Sequence, residues 1–139
     1  MKLHQETLEV RTRGRELVDL TREAARVVAQ SGVQRGLCVA FCQHTSASLC
    51  VQENADPNVR RDLLEWLERL APDGDPRYAH DDEGPDDMPA HLRSALTGVS
   101  VSIPIVGGAL ALGTWQALYL IEHRTRAHVR RVVLHVQGE

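Results

Sequence analysis

The sequence predicts an α+β fold: one compact domain in which largely antiparallel sheet layers combine with about three helices. Three observations carry this expectation. Strand-period and helix-period stretches run strand, helix, strands, helix, helix, strands, which is not the regular alternation of a doubly wound sheet. The last third is strand-like almost throughout, and Gly107-Gly108 suits a tight antiparallel hairpin. No linker, repeat or low-complexity tract divides the 139 residues, so a single domain spans 1–139.

Each element has a local reason. In "TLEVRTRG", Leu8 and Val10 alternate with charged residues, the period of a half-buried strand. "RELVDLTREAARVVAQSG" changes to helical spacing, with Leu17, Leu20, Ala24, Val27 and Val28 on one face and Gly32 as the stop. "GLCVAFCQHTSASLCVQEN" has apolar runs like strands covered on both sides, with Thr45-Ser46 as the break between two strands, which a hairpin would make neighbours. In "ADPNVRRDLLEWLERLAPDG", Asp56 is a helix cap and Pro57 fits the first turn. Val59, Leu63, Leu64, Trp66, Leu67 and Leu70 form its apolar stripe. Residues 72–86, polar and punctuated by prolines and glycines, read as a long surface loop. A short helix at 87–97 follows, with Asp87 as cap and Gly98 at its end. "VSVSIPIV", "ALALGTWQALYLIEH" and "HVRRVVLHVQ" then read as a meander.

Composition narrows the function. A formal charge of -3 argues against a general nucleic-acid binder, and 4% aromatic residues leave little for a base-stacking platform. No apolar run approaches the ~20 residues that span a bilayer. The start lacks the apolar core of a signal peptide, so a cytoplasmic protein is expected. Cys38, Cys42 and Cys50, odd in number and without CxxC spacing, read as reduced, buried thiols.

The residues that could carry chemistry are polar ones at strand and helix ends. His44, Thr45 and Ser46 end an apolar strand, where rigid backbone would hold them in a cleft, or where they satisfy a turn. Asn54 and Asp56 follow the next strand, with Asp56 already explained as a cap. In a helix from 87, His91 neighbours Met88, Leu92 and Ala95, which places an imidazole on an apolar, inward face. His80 opens an acidic run of Asp81, Asp82, Glu83, Asp86 and Asp87. Imidazoles and carboxylates are zinc ligands, and such a run also suits magnesium held against a phosphorylated substrate. A solvated loop is the alternative. Arg124, Arg126, Arg130 and Arg131 offer phosphate-matching guanidinium groups, or charges that protect a sheet edge. There is no GxSxG, P-loop or reactive-cysteine signature.

Five segments together resemble one family: "HTSASL", "ENADPNV", "DDMPAHLRSALTG", "IPIVGGALALGTWQALYLIEHR" and "RRVVLHVQGE". From about Val39 to the C-terminus the chain is similar to the YjbQ family, often labelled secondary thiamine-phosphate synthase, with a looser fit before that. The resemblance implies a homotrimer of compact α+β subunits with a polar cleft near the subunit boundary. Its motifs fall here on His44, Thr45, Ser46, Asn54, Asp56, His80, His91, Gln116 and Arg124. It implies His44, Asn54, Asp56 and His91 as catalytic residues, and Thr45, Ser46, Gln116 and Arg124 as substrate contacts. His44, His80 and His91 are the implied ligands of a divalent metal, magnesium or zinc. The chain departs from the family pattern in the 72–86 loop and at 125–129, where the family has a glycine-containing turn.

The implied activity joins a hydroxymethylpyrimidine diphosphate to a thiazole phosphate and releases diphosphate. Such a reaction asks mainly for positioning and for stabilisation of the leaving group. Two other functions suit the same residues: a metal-dependent hydrolase of a small phosphorylated metabolite, and a non-catalytic trimer that binds a small anion.

Overall fold

In the computed structural model, which describes residues 1–139, eight strands and three helices form two antiparallel sheets around one core. The elements are β1 (Lys2–Arg11), β2 (Glu16–Asp19), α1 (Thr21–Ser31), β3 (Arg35–Cys42), β4 (Ala47–Glu53), α2 (Pro57–Leu70), α3 (Asp87–Thr97), β5 (Ser100–Val106), β6 (Ala109–Leu110), β7 (Gln116–Glu122) and β8 (Val129–Gly138). One sheet has the order β1-β8-β3-β5-β6 and the other the order β2-β7-β4. The α+β class is as expected.

The core is built from strand alternation. Leu8 and Val10 of β1, Cys38, Ala40 and Cys42 of β3, Ile103 and Ile105 of β5, and Val132, Leu134 and Val136 of β8 point inward. They meet Leu49, Leu118 and Leu120 from the second sheet and Ala24, Val27 and Val28 from α1. β7 is buried along nearly its whole length because both of its faces are covered. Its Leu118 and Leu120 enter this core, while Tyr119 faces α2, and His123, just past the strand, meets Ser48 of β4, which also contacts Thr97 of α3. The Gly107-Gly108 turn joins β5 to β6, with φ of 58° and 77°, a two-residue hairpin only glycine forms cheaply. Cys38 and Cys42 are buried and Cys50 half-buried; all three are free, and burial pushes their thiols up. No helix is long and apolar enough to cross a membrane.

Four local expectations need correction. Leu17 lies in β2, paired with Ile121, and α1 begins only at Thr21, because pairing to β7 outweighs the helical spacing of Leu17 and Leu20. β3 and β4 are not hairpin neighbours: the chain crosses between sheets at 43–46, so β3 pairs with β5 and β8 while β4 pairs with β7. The C-terminal strands are no meander, since β7 belongs to the smaller sheet and β8 inserts between β1 and β3. The α2 stripe buries only Leu67 fully and leaves Trp66 and Leu70 about half exposed. Arg93 of α3 holds the end of α2 instead, donating to the carbonyls of Leu67 (3.2 Å) and Ala71 (2.6 Å).

A buried ion pair closes the end of the core. Glu122 is fully buried and accepts from Arg130 Nε (2.8 Å), Arg130 Nη2 (2.5 Å), Thr12 Oγ1 (2.7 Å) and the Arg124 backbone N–H (3.1 Å). Removing one partner strands the other charge. Glu122→Leu is expected to cost about 3–5 kcal/mol in urea unfolding, whereas Glu122→Leu combined with Arg130→Met should recover most of that loss.

Candidate functional site

The site starts from Arg124, which follows β7 and is buried. Its guanidinium donates through Nε to Asp86 Oδ2 (2.9 Å), through Nη1 to Asp87 Oδ1 (2.8 Å) and through Nη2 to the Glu83 carbonyl (3.0 Å). Asp86 Oδ2 also accepts from the Thr125 backbone N–H (3.0 Å) and hydroxyl (3.1 Å). Burial pushes the Asp86 carboxyl up, but these bonds outweigh it and leave the group well below the usual carboxylate range. Asp86, rather than Asp87, occupies the cap position of α3, and Asp87 is the first helical residue.

With Oδ1 held by Arg124, Asp87 turns Oδ2 toward two imidazoles. His80 Nε2 lies 2.7 Å away and His91 Nε2 3.1 Å. Glu83 Oε2 approaches His80 Nε2 at 3.1 Å. Residues 87 and 91 share a helix face by their four-residue spacing, and the loop brings His80 and Glu83 over it. One ligand atom from each of His80, Glu83, Asp87 and His91 lies within 4.8 Å of every other. Asp87 Oδ2 favours the charged form of His80 and raises its pKa.

The hydrogen bonds define what this cluster accepts. His91 Nδ1 contacts the Thr45 carbonyl at 3.0 Å; a carbonyl only accepts, so Nδ1 carries the proton. Nε2 of the neutral ring therefore offers a lone pair toward a carboxylate oxygen. Acceptors gathered this closely need a shared cation, either protons on the imidazoles or a metal ion. Two imidazole nitrogens with two carboxylates are a donor set that fits a divalent metal.

The cluster borders a cleft of about 680 Å³. Phe41, Val99 and Ala95 give it apolar walls, and His44, Thr45 and His91 give it polar ones. Its size suits a small-molecule ligand. His123 is buried with Nε2 2.8 Å from Ser48 Oγ, which also meets Thr97 Oγ1 at 2.6 Å.

The sequence-derived site residues separate into groups. His80 and His91 converge as a pair. His44 does not join them: its Nε2 accepts the Arg131 backbone N–H at 2.8 Å, which occupies a metal-ligating lone pair. His91 is half-buried at the cleft wall and not on an apolar inward face; the buried side of α3 carries Asp87, Ala90, Arg93 and Ser94. Ser46 is buried and holds Arg130 Nη2. Arg124, expected to contact substrate, spends its guanidinium on Asp86 and Asp87 and positions the cluster. Asn54, Asp56 and Gln116 lie at the far end of the smaller sheet. Glu53 pairs with Gln116 there and Ala47 with Glu122 at the near end, so roughly 20 Å of strand intervenes. Asp56 caps α2 through the Asn58 N–H (2.9 Å), Asn54 contacts the Thr114 carbonyl (3.5 Å), and Gln116 accepts from the Gly113 N–H (2.8 Å). Glu83 is a cluster member that nothing in the acidic run singles out, and the Asp87-x3-His91 spacing is the sequence signal for a shared helix face.

Fold and site together define a single-domain α+β protein with a histidine–carboxylate cluster beside a cleft of small-molecule size. The chain belongs to the YjbQ family, whose sequence model, described as UPF0047 protein YjbQ-like, matches residues 6–139. It is 54% identical over 136 residues to a UPF0047 protein of Synechocystis sp., covering 98% of this chain and 92% of the relative. It is 42% identical over 134 residues to the YjbQ protein of Escherichia coli O157:H7, covering 96% and 95%. A hypothetical protein from Aeropyrum pernix K1 superposes with a TM-score of 0.86 at 32% identity, over 100% of both chains. A protein of unknown function from Sulfolobus solfataricus P2 has a TM-score of 0.87 at 24% identity over 99% of both, which shows the shared fold.

Burial, with the charge of Arg93 adding to it, pushes His123 down from an ordinary 6.5 to about 3. The unfolded chain therefore takes up a proton that the folded one refuses. Stability from this residue is complete above about pH 6.5 and falls as the pH drops toward 3. Between pH 7 and pH 5 the loss should be about 2 kcal/mol in denaturant unfolding, and His123→Asn should flatten that part of the profile.

Proposed function

We propose that this chain is a metal-dependent enzyme acting on a small phosphorylated metabolite, and that its reaction joins a hydroxymethylpyrimidine diphosphate to a thiazole phosphate with release of diphosphate. The observation that carries the metal dependence is the gathering of four ligand atoms within 4.8 Å at the border of the cleft. The particular transfer rests on the resemblance of the motifs. Two imidazoles favour a zinc-type ion over magnesium, which prefers oxygen ligands and retains its waters.

The residues of the chain prepare this chemistry. Arg124 engages one Asp87 oxygen and leaves the other for the ion. The Thr45 carbonyl fixes the His91 tautomer, the outer-shell contact typical of metal-bound histidines. A bound ion of this type would supply Lewis-acid stabilisation to a phosphate oxygen. Phe41, Val99 and Ala95 present apolar walls against which the body of the ligand would lie. No proton-transfer machinery is required for the transfer itself, which relies on placement and charge stabilisation.

A homotrimeric assembly is part of this reading. The outer face of the larger sheet, opposite the core, carries Leu37, Val39 and Phe41 of β3 beside Val133 of β8, and no helix covers it. Phe41 also lines the cleft, so a second copy on this face would wall one side of the site.

Protein purified without chelator should contain about one zinc-type ion per chain by elemental analysis. His91→Ala and Asp87→Asn should lose the ion and turnover together, whereas full turnover by metal-free protein would remove the metal from the mechanism. Assays on pyrimidine diphosphate plus thiazole phosphate should show product formation; metal-dependent phosphate release without joining would point to a hydrolase instead. Light scattering should find a trimer, and Val39→Glu should yield monomers.

A further inference from the structure

Of the arginines that follow β7, two are spent inside the protein. Arg124 is held by Asp86 and Asp87, and Arg130 is buried against Glu122 and Ser46. Arg131 is exposed, and its guanidinium makes no hydrogen bond or ion pair within the chain. Its backbone is nonetheless fixed to the cleft. Its carbonyl accepts the Gln43 N–H at 3.1 Å, and its own N–H donates to His44 Nε2 at 2.8 Å. Gln43 and His44 both line the cleft. Residues opposite one another in an antiparallel pair project from the same face, with Cβ atoms about 5 Å apart. Gln43 continues the outward set of Leu37, Val39 and Phe41, and Arg131 belongs to the outward set of Val133. The guanidinium therefore stands beside the exposed Gln43 amide, on the face where Phe41 forms a cleft wall. Its charge also reaches His44: burial first, then Arg130, keeps that ring neutral, and Arg131 adds to the effect. Glu9 is its cross-strand neighbour on β1 and makes no ion pair with it.

We propose that Arg131, with Gln43, determines specificity at the mouth of the cleft by binding a phosphate group that the reaction leaves intact; this rests on the metal-dependent reading for the reacting end of the ligand. The proposed transfer has two phosphorylated reactants. The cluster of His80, Glu83, Asp87 and His91 serves the diphosphate that departs, so the phosphate that stays on the product needs a cation elsewhere. A free guanidinium offers a planar fork that matches two phosphate oxygens, and the Gln43 amide adds a further donor. Exposure suits this task. No bond to the retained phosphate breaks, so the group needs charge and grip rather than a dry surround. An unpaired charge at the mouth also draws anions toward the cleft. Gln43 and His91 line the same cleft, with Phe41, Ala95 and Val99 supplying its apolar walls. The ligand class that follows is a compact ring compound whose phosphate lies at the outer end, away from the cluster.

The test uses the full chain stripped of metal, with inorganic phosphate as the probe, so that it does not depend on the metal centre. Phosphate should shift the Arg131 side-chain N–H signal in NMR along a saturating curve. Arg131→Gln should weaken that binding about tenfold, the loss of a charge-assisted hydrogen bond. Arg131→Lys keeps the charge without the fork and should fall between the two. Glu9→Gln removes the neighbouring negative charge and should tighten binding. The backbone bonds to Gln43 and His44 do not use the guanidinium, so Arg131→Gln should unfold at the wild-type midpoint, which separates this effect from misfolding. Equal binding by wild type and Arg131→Gln, or a shift that never saturates, would overturn the assignment. Native protein without metal would overturn the metal centre and leave the phosphate result standing.

Discussion

The forked contact of Arg124 with Asp86 and Asp87 is the constraint on which the candidate site depends. It ties the end of β7 to the beginning of α3, two segments separated by 37 and 38 residues. One oxygen of Asp87 is neutralised and immobilised, which leaves a single directed oxygen for His80 and His91. Without it the end of the 72–86 loop would be held at Asp86 only by Thr125, and the Glu83 carbonyl would lose its tie to the end of β7. Arg rather than Lys is needed, because three donors must reach two carboxylates and a carbonyl in one plane.

Arg124 is the last of three consecutive buried polar residues, and each anchors a different part of the molecule. Glu122 gathers Arg130, Thr12 and a backbone amide, joining β7 to β8 and to the end of β1. His123 reaches Ser48 of β4, which in turn meets Thr97 at the end of α3. Buried charges of this kind are costly to desolvate, and an apolar isostere could serve stability as well. What the polar set adds is a defined arrangement: both carboxylate oxygens of Glu122 accept from partners brought together by the observed register of β7 against its neighbours.

The cleft inherits its character from these anchors. Its polar wall includes His44 and Thr45 of the crossing at 43–46, with the Thr45 carbonyl meeting His91 of α3, and its apolar wall is made by the outward Phe41 with Ala95 and Val99. Two of the four cluster residues, Asp87 and His91, stand on α3, and the other two, His80 and Glu83, come from the loop that Arg124 pins. Positions on a helix keep ligating geometry better than loops alone.

The sequence by itself determined the class of fold, most element positions, the Asp56 cap and the Gly107-Gly108 hairpin. These follow from local periodicity and turn chemistry, which act over a few residues. Tertiary structure decided the rest. Strand pairing, set by contacts across the whole chain, put Leu17 in a strand, separated β3 from β4, and removed Asn54, Asp56 and Gln116 from the histidines within one chain. The roles of Arg124, Arg130 and His44 were also hidden, because a guanidinium or imidazole shows its partner only when distant carboxylates and amides arrive beside it. Local spacing can say that a charge exists; only packing says what it faces.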